Sequence, residues 1–380
     1  MLKVKYLLPF LIIAVFAHTV SATIFINESG VYRINKDLFN VSVVIRAKNV
    51  ILNGCGHEIV GNGRFGLSVY GSSNVTVENL RVRGGWYYGL YVVNSTDIRI
   101  KNVKVTDCVD GIDVENSSSI LIANDSVGNN HNNGIRLFRT DRSIVVNDTV
   151  YDNVWNGIRL KWSNFNYVIG NRVEYNRHGV CMNSSNFNVL KFNRVLNNVV
   201  GVRLVYCSGD DLEDNTVGLN LKFGIFLRKY DFDIDLINNT VYGNRVGIFL
   251  DSSNRSLLYG NNVTLNEIGL LIVNVRGDVV HRNRVSNNLK GAILKGCYGN
   301  LIYDNYFSNH VNAYDDGANV WNVTKRRGIN IVGGKYVGGN YWSDYGGKDL
   351  NGDGLGDTDL PYDSGGRIKR GGDMLPLVLD

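Results

Sequence analysis

The sequence predicts an all-β protein that folds as a single-stranded, right-handed parallel β-helix of about 11–12 coils of 22–23 residues. The first observation is a glycine, followed by an apolar residue, that recurs eleven times at this spacing. The glycines are Gly66, Gly89, Gly111, Gly134, Gly157, Gly179, Gly201, Gly224, Gly247, Gly269 and Gly291. A fixed period held over so many units is typical of a solenoid, in which each unit packs only on its neighbours.

The second observation is strict alternation after each glycine. The residues one and three positions later are apolar, as are Leu90 and Val92, whereas the residues between them are mixed and often charged. Alternation of this kind indicates a strand with one buried face. Because such a strand recurs once in every coil, parallel stacking is expected, and parallel crossovers are right-handed as a rule.

The third observation is a column that precedes each glycine and reads Asn/Asp-x-Val-x-x-Asn, as in residues 171–176. Asparagine tolerates left-handed backbone, and stacked asparagine side chains can bond from coil to coil. A Ser/Thr/Asn cluster after the glycine strand, such as Ser184 to Asn186, marks a further corner. Each coil is therefore predicted to hold three short strands and three turns, with no helix.

Four segments are predicted along the chain. Residues 1–22 have a basic start, an apolar core and a small-residue end, which is typical of a secretory signal peptide. Residues 23–48 are interpreted as an N-terminal cap, 49–318 as the repeats and 319–380 as a C-terminal cap with a calcium-type loop. We therefore expect a secreted, extracellular or cell-surface protein without a transmembrane segment after cleavage, since the apolar run is too short to span a bilayer.

Composition narrows the classes of partner. The formal net charge of +5 is weakly basic and does not indicate nucleic acid. Twelve Asn-x-Ser/Thr sequences are candidate glycosylation sites in a glycosylating host. The register brings no two of the five cysteines within reach of a disulfide. Nothing in the sequence specifies an oligomer, so a monomer is the default expectation.

Several segments resemble the NosD-like β-helix family, which belongs to the pectin-lyase-like group of carbohydrate-binding proteins and sugar hydrolases. The segments are 28–32 (ESGVY), 49–57 (NVILNGCGH), the Asn/Gly-Ile repeat, 339–345 (GNYWSDY) and 349–354 (DLNGDG). The two C-terminal segments resemble secreted archaeal-type members. The resemblance covers nearly all of the chain after residue 22. It implies a β-helix and extracytoplasmic placement, but no particular reaction.

The outward face of the glycine strands is the candidate ligand surface. Its predicted substrate-binding residues are Tyr91, Asp113, Arg136, Arg159, Lys161 and Arg203. Arginine pairs well with carboxylates, so this face is suited to an acidic polysaccharide. The alternative is a solvated face whose opposite charges pair across strands.

Catalysis is a second hypothesis for the same face. Asp113 and Glu115 lie about 6.6 Å apart along one strand, which is a spacing that general acid/base pairs use. With Arg136 and Arg159 they are the candidate catalytic residues of a polysaccharide lyase, epimerase or hydrolase. Carbohydrate binding without catalysis is the first hypothesis, and a NosD-like accessory role in copper-site maturation is the third.

The calcium-type loop lies at residues 349–357. Oxygen donors at its first, third and fifth positions, followed by glycine, have the spacing that wraps a chain around Ca²⁺. The predicted ligands are Asp349, Asn351, Asp353, Leu355 and Asp357. The role expected for calcium is structural, and the alternative is a turn that satisfies its own polar groups. Copper is not favoured, because the five histidines after residue 22 fall on five different coils.

The second half of the outward column is apolar, with Phe226, Phe249, Leu271 and Ile293 in succession. An exposed apolar stripe of this kind usually meets another surface. We expect the C-terminal segment to fold back over it.

Overall fold

The computed structural model describes residues 22–379, so the predicted signal peptide lies, apart from Ala22, outside the described residues. Within the described chain all regular structure is β, and three sheets of 14 parallel strands run side by side. Each coil contributes its first strand to sheet A, its second to sheet B and its third to sheet C. The protein is therefore a parallel β-solenoid of 14 coils.

Coils 1 to 7 contain strands β1 to β21, three per coil. Their bounds are β1 Ala22–Ile26, β2 Gly30–Arg33, β3 Leu38–Phe39, β4 Val41–Ile45, β5 Val50–Asn53, β6 Glu58–Val60, β7 Gly63–Tyr70, β8 Ser73–Glu78, β9 Arg81–Arg83, β10 Trp86–Val93, β11 Thr96–Lys101, β12 Lys104–Thr106, β13 Asp110–Glu115, β14 Leu121–Ala123, β15 Ser126–Gly128, β16 Asn133–Phe138, β17 Ile144–Val146, β18 Thr149–Tyr151, β19 Asn156–Lys161, β20 Tyr167–Ile169 and β21 Arg172–Glu174.

Coils 8 to 14 contain strands β22 to β44. Their bounds are β22 His178–Asn183, β23 Val189–Lys191, β24 Arg194–Leu196, β25 Val200–Val205, β26 Asp211–Glu213, β27 Thr216–Gly218, β28 Phe223–Arg228, β29 Asp235–Ile237, β30 Thr240–Tyr242, β31 Val246–Asp251, β32 Leu257–Tyr259, β33 Asn262–Thr264, β34 Ile268–Val273, β35 Val279–His281, β36 Arg284–Ser286, β37 Lys290–Lys295, β38 Tyr298–Tyr303, β39 Tyr306–Ser308, β40 Val311–Asp315, β41 Ala318–Val320, β42 Arg326–Arg327, β43 Tyr336–Val337 and β44 Tyr341–Trp342. Strands β42 and β43 form a separate antiparallel pair.

The predicted inward columns form the core. Ile112, Ile135 and Ile158 pair in register on β13, β16 and β19 and are fully buried. The repeat glycine is required by close packing at the corner between sheets C and A. A Cβ added at Gly134 would come within 2.5 Å of a Val150 methyl carbon and 2.7 Å of the next glycine's carbonyl oxygen.

Stacked asparagines form ladders at the corner between sheets B and C and at the corner between sheets C and A. At the corner between sheets B and C, Asn171 Nδ2 donates to Asn193 Oδ1 at 3.0 Å and to the Val145 carbonyl at 2.9 Å. Asn193 repeats the arrangement with Asn215 at 3.0 Å. Each buried amide thus satisfies backbone groups of neighbouring coils, which buried polar groups require.

The number of coils is larger than the predicted 11–12, because the β-helix includes both ends of the described chain. Residues 23–48, interpreted as a cap, contain β1 to β4, and Ala22 pairs with Val41 in parallel register. At the other end, β40, β41 and β44 form a fourteenth coil. This coil begins at the end of the predicted repeats and continues into the predicted C-terminal cap. The glycine period stops earlier than the coils do, so it gave too short a count.

The C-terminal segment closes the last coil. Asp373 is fully buried and accepts hydrogen bonds from Trp342 Nε1 at 2.8 Å and from the Asn340 amide at 2.7 Å. Ile368 pairs with Asp315 on β40, and Ser364 Oγ accepts the Ala313 amide at 3.2 Å. This segment therefore covers the open edge of sheet A, where unpaired backbone would otherwise be exposed.

The remaining expectations about the chain concern its cysteines and its membrane topology. All five cysteines are free, and Cys108, Cys181, Cys207 and Cys297 are buried while Cys55 is exposed. Across residues 22–379 there is no helix with the length and apolar character that a membrane crossing needs.

Candidate functional site

The candidate surface is the outward face of sheet A over coils 4 to 9. The backbone register pairs Tyr91 with Asp113, Asp113 with Arg136 and Arg136 with Arg159. Cys181 and Arg203 continue the row on β22 and β25. We call Tyr91, Asp113, Glu115, Arg136, Arg159, Lys161 and Arg203 the charged band. The structure brings these predicted residues onto one face, and their role in binding remains a prediction.

An ionic network occupies the N-terminal end of the charged band. Arg136 Nη1 lies 2.6 Å from Asp113 Oδ2 and 2.7 Å from Glu115 Oε1. Tyr91 donates its hydroxyl to Glu115 Oε2 at 2.9 Å. Burial raises the pKa of Tyr91, and its hydrogen bond to Glu115 raises it further. One guanidinium therefore bridges two carboxylates on the neighbouring strand.

Asp113 is not at the surface, which corrects the expectation of an outward acid/base pair. Its side chain is fully buried beneath Arg136, and Oδ1 has no hydrogen-bond partner among the described residues. Burial raises the pKa of Asp113 to about 7, although Arg136 acts in the opposite direction. Asp113 therefore holds Arg136 in place and does not face a ligand.

Sequence reasoning missed a second polar row beside the charged band. It consists of the residues directly before the repeat glycines. Asn133 Nδ2 donates to Asp110 Oδ1 at 2.6 Å, and Asn156 Nδ2 donates to Asn133 Oδ1 at 2.7 Å. His178 Nδ1 lies 3.0 Å from Asn156 Oδ1. The signal was present in the sequence, because this column changes from Asp, Asn and His to Val and Phe at coil 9.

His178 is a neutral imidazole at physiological pH. Burial, together with charge repulsion from Arg203, Arg177 and Arg159, lowers its pKa to about 4. Because Asn156 Oδ1 accepts from Nδ1, the proton lies on Nδ1 and Nε2 is left as an acceptor. The protein thus places a neutral proton acceptor beside three arginines.

Aromatic side chains lie at the other end of the charged band. Tyr88 stacks on Tyr91 at 4.4 Å between ring centroids, and Tyr87 meets Tyr88 edge-on at 4.7 Å. Burial raises the pKa of Tyr88 to about 12, with smaller contributions from Asp113 and Glu115. Trp86, on the same strand, is fully buried and cannot stack on a sugar ring.

Two hollows adjoin this aromatic group. The larger, of about 1010 Å³, runs over coils 1 to 5 and includes Phe25, Arg46, Arg64, Tyr91 and Glu115 in its lining. The smaller, of about 260 Å³, is lined by Tyr87, Tyr88, Asp110, Glu115, Asn132, Asn133, Arg136, Arg159 and Lys161. Glu115 lines both, so the two hollows lie on either side of this side chain on the outward face of sheet A.

Three cations of the charged band lack a carboxylate partner. Among residues 22–379 no ion pair involves Arg159, Lys161 or Arg203. Arg203 donates only to Cys181 Sγ, at 3.7 Å. Burial lowers the pKa of Lys161, and repulsion from Arg159 and Arg136 adds to this effect. This part of the face therefore carries uncompensated positive charge.

The calcium-type loop satisfies its own polar groups. Asp349 accepts the Gly352 amide at 2.8 Å and the Gly354 amide at 2.7 Å. Asp357 accepts Asn351 Nδ2 at 3.1 Å. The hydrogen bonds that Asp349 accepts from the backbone amides, that of Gly354 above all, lower the pKa of Asp349.

The other two predicted calcium ligands are also engaged. Asp353 forms an ion pair with Lys325. Leu355 is buried and pairs with Leu377 in an antiparallel bridge. Within residues 22–379, no three His, Cys, Asp or Glu side chains converge as a metal site. The calcium site remains a prediction, and it requires Asp353 to leave Lys325.

The apolar stripe continues the charged band on coils 10 to 13. Phe226 stacks on Phe249 at 4.8 Å with the rings 7° from parallel, and Leu271 and Ile293 follow in register. The C-terminal segment packs on β40 instead, and only its Arg367 lines a hollow with Ile293. The C-terminal segment, which we expected to cover the apolar stripe, therefore contacts it at its last coil and leaves the rest uncovered.

Comparisons with known proteins agree with this architecture. Residues 177–347 match the family model described as periplasmic copper-binding protein (NosD), and residues 65–217 match the model described as right handed beta helix region. None of the curated proteins compared with the chain matches it.

Similar solved structures include three carbohydrate-related or viral proteins. An alginate lyase is 13% identical, with 76% of this chain and 80% of that chain covered and a TM-score of 0.54. The Dettilon tailspike protein is 15% identical over 71% of this chain and 61% of that chain, with a TM-score of 0.52. A mannuronan C-5 epimerase A-module from Azotobacter vinelandii is 14% identical over 78% of this chain and 87% of that chain, with a TM-score of 0.51. At these identities the likeness shows the fold alone, a right-handed parallel β-helix, which agrees with the family models that match residues 65–217 and residues 177–347.

Proposed function

We propose that this protein binds an acidic polysaccharide of the polyuronate class along the outward face of sheet A. The observation that carries the proposal is the set of three cations, Arg159, Lys161 and Arg203, without carboxylate partners among residues 22–379. Close unpaired cations repel one another, and a polyanion relieves that repulsion. Guanidinium groups also bind carboxylates in a bidentate manner.

The shape of the face supports a chain-like ligand. Successive coils repeat about every 4.8 Å, so the charged band presents its side chains at regular intervals along the axis. The hollows adjoining Tyr88 and Tyr91 add aromatic rings, which suit the apolar faces of sugar rings. Two of the proteins that share the fold are named for acting on alginate or its precursor mannuronan, both polyuronates.

The proposed location is extracytoplasmic. The family model over residues 177–347 describes a periplasmic protein, and the sequence suggests a signal peptide. Polyuronates are found outside the cytoplasm, so location and ligand agree.

Binding measurements with defined polymers test the proposal. We expect alginate and polygalacturonate to bind and neutral dextran not to bind, with affinity falling as salt rises. Arg159→Gln and Arg203→Gln should each weaken binding by about tenfold, in line with one lost charge-assisted contact. Arg245→Gln is the matched control. Arg245 is exposed, lies outside the charged band and forms an ion pair with Glu267, with 3.4 Å between Nε and Oε2. Equal affinity of all three variants would contradict the proposal.

His178 favours a second function, namely chemistry at C5 of a uronate. A uronate carboxylate held by Arg159 and Arg203 would acidify the C5 proton, and neutral His178 Nε2 can accept that proton. The electron pair at C5 then forms the C4–C5 double bond as the C4–O bond breaks, and the leaving oxygen takes a proton from solvent water, which gives the unsaturated uronate of a lyase. If solvent water instead protonates C5 from the opposite face, the product is an epimer. Asp113 and Glu115 have no part in this step, because they are bound to Arg136.

Product analysis separates binding from catalysis. A lyase would generate the ultraviolet absorbance of an unsaturated uronate, and an epimerase would change the uronate composition without cleavage. His178→Gln should abolish either product while retaining affinity for the polymer. Wild-type protein that binds alginate and yields neither product would leave the binding function alone.

The copper role suggested by the NosD description does not fit the described side chains. His57, His131, His178 and His281 lie on different coils, and no three His, Cys, Asp or Glu side chains converge within residues 22–379. No step is therefore assigned to copper. Elemental analysis of protein produced with added copper tests this role, and stoichiometric copper that survives dialysis would restore it.

Calcium binding by the loop is a separate prediction. If Ca²⁺ displaces Lys325 from Asp353, millimolar calcium should raise the melting temperature by about 2 °C through preferential binding to the folded state. Lys325→Met should strengthen the effect and Asp349→Asn should remove it. Identical melting curves in calcium and in a chelator, for the wild type and for Lys325→Met, would exclude the site.

A further inference from the structure

The corner between sheets A and B shows a second departure from the repeat, beside the charged band. Two positions of each turn, mostly five and eight residues after the repeat glycine, have left-handed backbone. At the first position, coils 3 to 5 carry Gly71, Asn94 and Asn116, and coils 11 to 13 carry Ser252, Asn274 and Gly296. These mostly small or asparagine residues are the ones that adopt left-handed backbone most readily.

Coils 7 to 9, beside the charged band, each carry an aromatic residue at one or both of these positions. Trp162 and Tyr206 have φ of 54° and 58° at the first position, and Phe165 and Phe187 have φ of 58° and 56° at the second. Aromatic residues are disfavoured in this region of backbone space, and strain of this kind concentrates at functional sites. The substitution of rings for Gly or Asn is therefore a local cost that the fold itself does not require.

Burial does not offset this cost. Trp162, Phe165, Phe187 and Tyr206 are 42%, 46%, 54% and 48% exposed. Phe165 and Phe187 stack in parallel with centroids 5.2 Å apart, at an angle of 8°. The rings therefore form an open platform on the surface of coils 7 to 9.

Cations are interleaved with these rings. The Arg139 guanidinium lies 5.2 Å from the Trp162 ring centroid, and Lys161 Nζ lies 4.3 Å from it. Arg142 lies 5.8 Å from the Phe165 centroid. Arg139 and Arg142 are exposed and form no ion pair among the described residues. The corner thus combines positive charge with flat apolar surface.

One acidic side chain lies in this part of the corner. Asp141 Oδ1 accepts the Asn164 amide at 2.7 Å, so the carboxylate is engaged with backbone. The corner is also continuous with the charged band, because Lys161 belongs to the band and contacts Trp162. A polyanion bound to the band would meet the platform where β19 ends.

We propose that the corner of coils 6 to 9 is a second sugar-binding surface, on which pyranose rings of an acidic polysaccharide stack on Trp162, Phe165 and Phe187. Arg139 and Arg142 pair with the carboxylates of the same polymer. The inference rests on the proposed function and extends its contact surface from sheet A around the corner toward sheet B. Rings and cations together select an acidic sugar polymer over a neutral one.

The test replaces rings with residues that the same column already contains. Trp162→Ser introduces the residue found at the same position of the next coil, Ser184. Phe187→Gly likewise introduces the residue of the next coil, Gly209. We expect each variant to bind alginate oligomers about tenfold more weakly, corresponding to about 1.4 kcal/mol. Because small residues relieve left-handed strain, the melting temperature should stay equal or rise. Alginate should also change the tryptophan fluorescence of the wild type but not of Trp162→Ser.

Phe192→Asn is the matched control. Phe192 is 59% exposed with φ of 57°, but it lies at the corner between sheets B and C. Its substitution should affect stability in the same direction and leave affinity unchanged. Corner variants that melt lower and bind normally would show a structural stack and overturn the inference.

Arg159→Gln and Arg203→Gln distinguish this inference from the proposed function. Lost binding in the band variants with normal binding in the corner variants overturns the inference alone. Lost binding in the corner variants with normal binding in the band variants supports the corner and overturns the proposed site on sheet A. Wild-type protein that binds no polyuronate and shows no fluorescence change overturns both.

Discussion

The outward face of sheet A has two halves that share one backbone and differ in chemistry. On coils 5 to 9 the row carries Asp113, Arg136, Arg159 and Arg203, whereas on coils 10 and 11 it carries Phe226 and Phe249. The inward residues hardly change across the boundary: Ile158 on coil 7 and Ile248 on coil 11 occupy the same position and are fully buried. The interior and the corner ladders thus fix the coil, which leaves the outward positions open to specialisation.

The two halves also differ in how their side chains are satisfied. In the apolar stripe, Phe223, Phe226 and Phe249 pack on one another with centroids 4.8 to 5.4 Å apart. In the charged band, Arg136 is fully engaged by Asp113 and Glu115, while Arg159 has no partner among the described residues. We infer that the stripe and the Arg136 network serve stability, and that the unpaired cations serve binding.

The largest expected effect is that of Arg136→Met. It leaves Asp113 buried without a partner, and breaking a buried ion pair in this way typically costs about 3–5 kcal/mol of unfolding free energy. Denaturant unfolding at pH 8 measures the change. The double variant Arg136→Met with Asp113→Asn should recover most of the loss. A loss below about 1 kcal/mol in the single variant would show that the network is not stabilising.

Phe249→Ala tests the apolar half. It removes a ring that stacks on Phe226 and is partly exposed, so we expect a loss of about 1–3 kcal/mol, less than for a core phenylalanine. Urea unfolding gives the value, and Phe249→Leu is the control that keeps most of the apolar contact. If both variants were as stable as the wild type, the stripe would be a surface for another molecule instead of a self-packed element.

The sequence predicted the inward pattern well because sterics repeat with the coil. The neighbouring coils leave room for one residue type at three positions of the repeat. These positions are the repeat glycine, the valine of the Asn-x-Val column and the ladder asparagine. The ends were harder to predict, because residues 22–48 form coils without the glycine period. Only the inward apolar alternation is shared there.

The outward chemistry was predictable only in part. Register alone brought Arg136, Arg159 and Arg203 onto one face. Register could not show that Asp113 lies beneath Arg136, since burial of an outward side chain depends on the length and pairing of its neighbours. His178 was not among the predicted residues, because the position before the repeat glycine carries Asp, Asn or His on coils 5 to 8 alone and so does not follow the repeat.

The pH dependence of stability tests the buried carboxylate of the charged half. Asp113 has a folded pKa of about 7, above its ordinary value of 3.8. Between these values the folded state holds a proton that the unfolded state has lost, so stability falls as pH rises through this window. We expect wild type to lose about 1–2 kcal/mol more than Asp113→Asn between pH 6 and pH 8. Parallel stability profiles would mean that Asp113 is ionised in the fold throughout.

Arg159→Gln should have the smallest effect on stability. Because Arg159 has no ion pair among the described residues, we expect a change within about 0.5 kcal/mol, in contrast to Arg136 on the neighbouring strand. Arg159 also helps to lower the pKa of Lys161, so the pKa of Lys161 should rise in the variant. Thermal unfolding and NMR titration of labelled lysine measure the two quantities. A stability loss above about 1 kcal/mol would reveal an internal partner for Arg159. The binding proposal would then lose the observation on which it rests, because the band would hold no cation reserved for a ligand at that coil.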